Sequence, residues 1–156
     1  MAEHRTSGPL MRAGVMLGIG MGGFVDGILL HQIMQAHAML SAQLPLDTME
    51  NMRTNMTADG LFHAGVWLAT LIGIAMLFNA GKRPNVLWSG RVLAGAMLLG
   101  WGVFNVVEGV IDHHVLHLHH LIERLGLSVW DWAFLAFGVA LILAGALIAR
   151  TPAGRR

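Results

Sequence analysis

The chain has 156 residues, 55% hydrophobic and only 12% charged, with a mean hydropathy of +0.61, which places it in the membrane class and not among soluble domains. It contains no cysteine, which excludes disulfide scaffolds, iron–sulfur clusters, thiolate zinc sites and cysteine nucleophiles. Net charge is +1 and no basic stripe is available to neutralise phosphates, so nucleic acid is excluded as a partner.

A helix needs about 20 mostly apolar residues to cross the hydrocarbon core. Four segments meet that need, 13–40, 60–80, 90–116 and 128–149, so a single membrane domain over 1–156 is expected, an all-α four-helix bundle. The start, "MAEHRTSGPLMRAG", lacks the pattern of a cleaved signal, and the first apolar segment is expected to stay as an anchor, with His4 an ordinary tail residue. The first span carries "VDGILLHQIMQAH", which sets Asp26 fourteen residues past Arg12, well inside the bilayer, with His31 and His37 beyond it. The polar stretch "SAQLPLDTMENMRTNMTAD" then reads as an outer loop broken by Pro45. Its Met49, Met52 and Met56 stand at near-helical spacing, which suits lipid contact, or copper(I) through thioethers.

The second span opens on "DGLFHAG", with Asp59 and His63 four residues apart on one face; Asp59 also suits the place of a helix N-cap. A short turn, "NAGKRPN", leads to the third span, which ends in "NVVEGVIDHHVLHLHH". On a straight α-helix Glu108 and Asp112 share one face, with Asn105 at its edge, whereas His113 points about 140° away. His119 returns to that face roughly 16 Å further along, too far to share an ion with Glu108. Glu108 and His113 could bind together only if the helix were distorted, and the glycine after each acid, Gly27 and Gly109, is where a kink or π-bulge would supply the turn. His114, His117 and His120 read as a solvated cluster at the mouth of this span, suited to weak metal capture or proton uptake. After "IERLGLS" the fourth span closes the chain.

Of the ten Lys and Arg residues, Arg5, Arg12, Lys82, Arg83, Arg91, Arg150, Arg155 and Arg156 fall at the termini and the middle turn, and only Arg53 and Arg124 in the other connections. The positive-inside rule then puts both termini in the cytoplasm. Trp88, Trp130 and Trp132 stand near span ends, where an amphipathic ring suits the headgroup region.

One constant shift in register lays the first span on the third: Gly18 on Gly100, Gly20 on Gly102, Asp26 on Glu108, Gly27 on Gly109, His31 on His113 and His37 on His119. A second, weaker match lays the second span on the fourth, with Asp59, Phe62 and Ala64 on Asp131, Phe134 and Ala136. The bundle is therefore expected to consist of two parallel-repeated helical hairpins about a pseudo-two-fold axis along the membrane normal, with the acids facing each other across it. Ionisable residues at that depth are costly and mark a functional site, or pair with one another to fix helix register. Asp26, His31, His63, Glu108, Asp112 and His113 are the expected metal ligands, with His37, Asp59 and His119 as secondary candidates. Oxygen and imidazole donors without thiolate suit iron, zinc, copper or manganese, bound as one ion or two.

The motifs "GGFVDGILLHQI", "DGLFHAGVWLAT" and "GWGVFNVVEGVIDHHVLHLHH" together resemble a bacterial family of small four-helix membrane proteins described as a domain of unknown function. The likeness covers spans one to three. It implies an inner-membrane bacterial protein of four-helix topology and implies no activity. The residues themselves leave three functions open. The first is a metal-dependent enzyme, redox with oxygen or a small lipophilic substrate, or hydrolytic at zinc. The second is metal or proton transfer, or delivery of metal to a membrane partner such as a respiratory oxidase, which calls for a homodimer or that partner. The third is haem held by facing histidines.

Overall fold

The computed structural model describes residues 6–150, so His4, Arg5, Arg155 and Arg156 lie outside the described residues. Helix α1 (Gly8–Val25) starts on Pro9, whose fixed φ suits a first helical turn. It runs without a break into a π-helical stretch, Asp26–Ile33. Helix α2 (Met49–Gly81) is capped by Thr48, whose Oγ1 accepts from the Asn51 amide at 3.1 Å. Helix α3 (Gly90–Glu108), capped by Ser89, likewise continues as a π-helix over Gly109–Val115. After a 3₁₀ turn at Glu123–Leu125, α4 (Val129–Ala149) opens on a capping box between Ser128 and Asp131. All four are long and apolar enough to cross a membrane.

The first two spans differ from their expected limits. The first is helical only to Ile33, not 40, and the second begins at Met49, not 60. Thr48 caps a first turn that holds the good helix formers Met49, Glu50, Met52 and Arg53, so α2 projects past the apolar stretch and takes Met49, Met52 and Met56 with it. Asp59 therefore stands a third of the way along α2 and is not its N-cap. Ser128→Ala is expected to cost about 1 kcal/mol, the usual worth of such a cap. Reversible unfolding in mixed micelles measures it; an unchanged midpoint would mean that Asp131 holds the helix start alone.

The helices form a row. α1 and α3 pack together at the centre, α2 lies against α1, and α4 lies against α3. The central pair crosses backbone to backbone at two glycines: a Cβ on Gly18 would stand 2.0 Å from the Met97 carbonyl oxygen, and one on Gly100 would stand 2.0 Å from that of Val15. Only glycine permits this approach, and small residues at such crossings replace the hydrophobic drive that helices lose in lipid. The outer helices leave large apolar side chains on the flanks, Leu61, Phe78, Leu143 and Leu147 among them, as a lipid-facing surface requires.

The connections after the first and third spans close over one end of the row. Gln35 and His117, which occupy equivalent places after the first and third spans, both take the left-handed conformation, with φ of 49° and 48°. Each turns the chain back over the helix it has just left. The reversed segments then bond to each other, the Ala42 amide to the Leu118 carbonyl and the Glu123 amide to that of Ala36, both at 3.0 Å. Ser41 Oγ donates to Glu123 Oε2 at 2.8 Å, again joining equivalent places in the two connections.

A candidate metal centre under the capping connections

The π-helical stretches decide which side chains meet. A π-helix closes its ladder from i to i+5, so residues five apart come onto one face. Asp26 and His31 are five apart, as are Glu108 and His113. The angular gap expected on a straight helix is thereby removed: His31 Nε2 lies 3.1 Å from Asp26 Oδ2, and His113 Nε2 lies 3.1 Å from Glu108 Oε1. Gly27 makes room for the neighbouring helix, since a Cβ there would stand 2.6 Å from His63 Nε2.

The chain reversals bring in the next pair. His119 was expected to lie too far along the helix to reach Glu108, but its Nε2 is 2.9 Å from Glu108 Oε1. The helix has ended by then, and the turn at His117 folds the following residues back over it. His37 returns the same way beyond Gln35. Its ring stacks on that of His119, with centroids 4.5 Å apart and planes 6° from parallel. His31 stands 4.4 Å from His37, and His113 stands 4.9 Å from His119, both edge-on. Four imidazoles and two carboxylates, all buried, thus occupy one compartment.

Around them lies a second layer of acceptors. His31 Nδ1 donates to Asp59 Oδ1 at 3.0 Å, and His113 Nδ1 lies 3.0 Å from Asp131 Oδ1. Each of those carboxylates is anchored by a backbone amide from a reversed segment, Met39 N on Asp59 and Leu121 N on Asp131, at 2.9 Å each. His37 Nδ1 donates to the Leu121 carbonyl at 3.1 Å, and His119 Nδ1 to the Met39 carbonyl at 3.2 Å. Each half of the chain therefore orients the histidine of the other. Phe62 stacks on His31 and Phe134 on His113.

Counting protons shows what this arrangement lacks. A neutral imidazole has one N–H and one lone pair. His119 spends its N–H on the Met39 carbonyl, and its other nitrogen still faces a carboxylate oxygen. His31 spends its N–H on Asp59, and its Nε2 lies close to Asp26 Oδ2 with no hydrogen bond between them. Neither nitrogen of His113 finds a partner at hydrogen-bonding angles, and His37 Nε2 and Glu108 Oε2 are also buried and unpartnered. Burial holds His37 down to about 3, with the nearby His119 and His31 adding to the effect, so its ring is neutral and its Nε2 keeps a lone pair. Donor atoms of His31, His37 and His119 lie within 4.8 Å of one another, and so do those of Glu108, His113 and His119. Ligands about 2.1 Å from one ion stand roughly 3–4 Å apart, so a small contraction would bring either group onto a cation.

Two of the residues expected at the centre lie beside it. His63 is half-buried, and its Nδ1 donates to the Asp59 carbonyl at 2.7 Å, with the ring against Gly27. Asp112 is also half-buried, on the α2 side of α3. Asp131 was no site candidate, although the weaker of the two internal matches had already set it opposite Asp59. His120, expected in a solvated cluster, is buried with Nδ1 3.8 Å from Asp131 Oδ1, because the reversal tucks it under the cap. His117 stays exposed, and His114 packs on Trp132.

No curated protein and no solved structure matches the chain. One family model does, over residues 13–152, well beyond half its length. The chain belongs to the family described as "Predicted membrane protein (DUF2243)".

Proposed function

We propose that this membrane protein holds a transition-metal centre under its outer cap, with Asp26, His31, His37, Glu108, His113 and His119 as ligands and Asp59 and Asp131 orienting the histidines. The observation that carries it is the set of close but unbonded nitrogen–oxygen pairs. Pairs this close need either a proton on the imidazole or a bound cation between the two atoms, since bare lone pairs within about 3 Å cost several kcal/mol in a low-dielectric interior. Charge supports the same reading, since four buried carboxylates, Asp26, Asp59, Glu108 and Asp131, match two divalent ions. The donor set suits iron, zinc, manganese or copper(II). Histidines that donate their other N–H to a carboxylate or carbonyl are the usual second layer of such sites.

The correspondences of the first span with the third, and of the second with the fourth, support a duplicated hairpin. Each half then gives one acid and two histidines, and hence a dinuclear centre. The Lys and Arg distribution supports an orientation with both termini cytoplasmic and the centre near the outer face of a bacterial inner membrane. A buried, oriented centre of this kind fits a resident cofactor for redox chemistry. A metal-transfer reading draws support from one feature, a cavity of about 580 Å³ at the outer end with His37 and Glu123 in its wall. Haem finds no room among four rings whose neighbouring centroids lie 4.4 to 6.2 Å apart.

Elemental analysis of detergent-purified protein is expected to give one or two equivalents of metal that survive dialysis against chelator. Rapid exchange would favour transfer over a resident cofactor. No metal after purification and reconstitution would sink the proposal, leaving a protonated acid–histidine network. Asp59→Asn is expected to keep the fold and weaken metal binding by about 10- to 100-fold, as loss of a carboxylate behind a ligating histidine does.

A further inference from the structure

The compartment that holds the four histidines is approached from the bilayer as well as from the outer mouth. A cavity of about 370 Å³ lies between α1, α2 and α3, walled by Ile19, Phe62, Phe104 and Val107, and it reaches Glu108 and Asp112. Its apolar rim lies on the lipid-facing flank, where Val107 and Ile111 are 50% and 44% exposed. A related cavity of about 220 Å³ on the opposite flank, between α1, α3 and α4, reaches Asp26.

The two differ at several positions that are equivalent in the first and third spans, Phe104 of the larger answering to Gly22 of the smaller among them. Where the larger cleft has Ile19, the smaller has the bulkier Trp101 in its wall. Where the larger cleft has Asp112, the smaller has Leu30. Asp112 is therefore no by-product of the repeat. It is a half-exposed acid at bilayer depth, and its carboxylate accepts no hydrogen bond among the described residues. Such a group is expensive in lipid unless something neutralises or bonds it. Glu108 adds a second unmet acceptor, for its Oε2 is buried without a partner while Oε1 serves the histidines.

The geometry points to a binding site, in this cleft alone, for a lipid-soluble hydroquinone entering sideways from the bilayer, with Glu108 and Asp112 accepting its hydroxyl hydrogens. A carboxylate oxygen with no partner in the protein is satisfied by an occupant that donates to it. The mouth opens to lipid, so the occupant must partition there. Phe62 and Phe104, with centroids 6.0 Å apart, offer aromatic walls to a planar ring. The two acids stand about one turn apart, Glu108 at the end of α3 and Asp112 in its π-helical continuation, and both line the same cleft. The inference deepens the metal-centre reading by naming a ligand class for the same site, and it rests on that reading for what the bound oxygen would meet beyond Glu108.

Protein in phosphatidylcholine nanodiscs, held anaerobic, is titrated by calorimetry with a decyl-substituted benzohydroquinone and with its dimethyl ether, and metal is assayed on the same samples. One saturable hydroquinone per chain is expected, bound at least about tenfold more tightly than the ether, because a hydrogen bond to a charged acceptor is lost. Val107→Trp, at the lipid-exposed mouth, should abolish saturable binding, and Asp112→Asn should weaken it about tenfold. Val25→Trp, the matching position on the other flank, should leave it unchanged. Equal affinity for the ether, binding that never saturates, or equal sensitivity to the two tryptophan variants would overturn the assignment. Full metal with no saturable binding sinks this inference alone; saturable binding sensitive to Val107→Trp in protein that takes up no metal sinks the metal-centre reading alone.

Discussion

Glu108→Gln protein is expected to fold, reach the membrane and purify with less than about a tenth of the wild-type metal. Glu108 Oε1 lies 3.1 Å from His113 Nε2 and 2.9 Å from His119 Nε2, so a single oxygen joins two of the histidines. Glutamine keeps the shape and removes the charge. It also turns half of the group into a donor that can satisfy an imidazole lone pair directly, and the pressure toward a cation disappears with it. Uncompensating a buried charge pair typically costs about 3–5 kcal/mol, which corresponds to a fall in affinity of two to four orders of magnitude. Asp112→Asn is the informative contrast, since Asp112 lies outside both close groups of donor atoms and its variant should retain metal. The measurement is metal per chain after equal exposure to chelator. Wild-type metal content in Glu108→Gln would remove Glu108 from the ligand set and leave its contacts to the histidines without a role.

How much of this was legible beforehand depends on the length scale. Hydropathy found four spans because length and apolarity are all that a bilayer crossing demands. The two acids and the four central histidines were visible through the correspondence of the first span with the third, which no local signal requires. Local winding was less visible. "DGILLHQI" and "GVIDHHV" have compositions that an α-helix also accepts, so only the glycine after each acid hinted at a π-helix, and the rotation that brings His31 and His113 to their acids had to be seen. His119 was misplaced for a related reason: projecting a straight helix past Val115 ignored a reversal centred on a non-glycine residue at positive φ, which sequence rarely announces. The start of α2 was missed because a polar first turn looks like a loop when apolar residues alone are counted. Asp131 shows the opposite failing, for the alignment that paired it with Asp59 was present in the sequence, and the pairing was not carried through to the site.

Gly18→Val is expected to be the most destabilising single change outside the centre, and to empty the centre as well. A Cβ at that position would stand 2.0 Å from the Met97 carbonyl oxygen and 2.8 Å from its carbon, both backbone atoms that no rotamer change can move. The central helices must then separate by an ångström or more, against the close packing that holds them together in lipid. Overpacking of this kind costs about 1–3 kcal/mol when side chains alone yield, and more is expected where backbone must move. The consequence extends to the ligands, since Asp26 and His31 ride on the extension of α1, while Glu108 ends α3 and His113 rides on its extension. Any opening at the crossing therefore widens the gap between the two halves of the site. Gly65→Ala supplies the control, for a Cβ there meets nothing within 4 Å, and the change should be neutral or slightly stabilising through helix propensity. Unfolding in mixed micelles, with metal assayed alongside, separates the cases. Matching midpoints for Gly18→Val and Gly65→Ala would show that the α1–α3 crossing is not what holds the centre together.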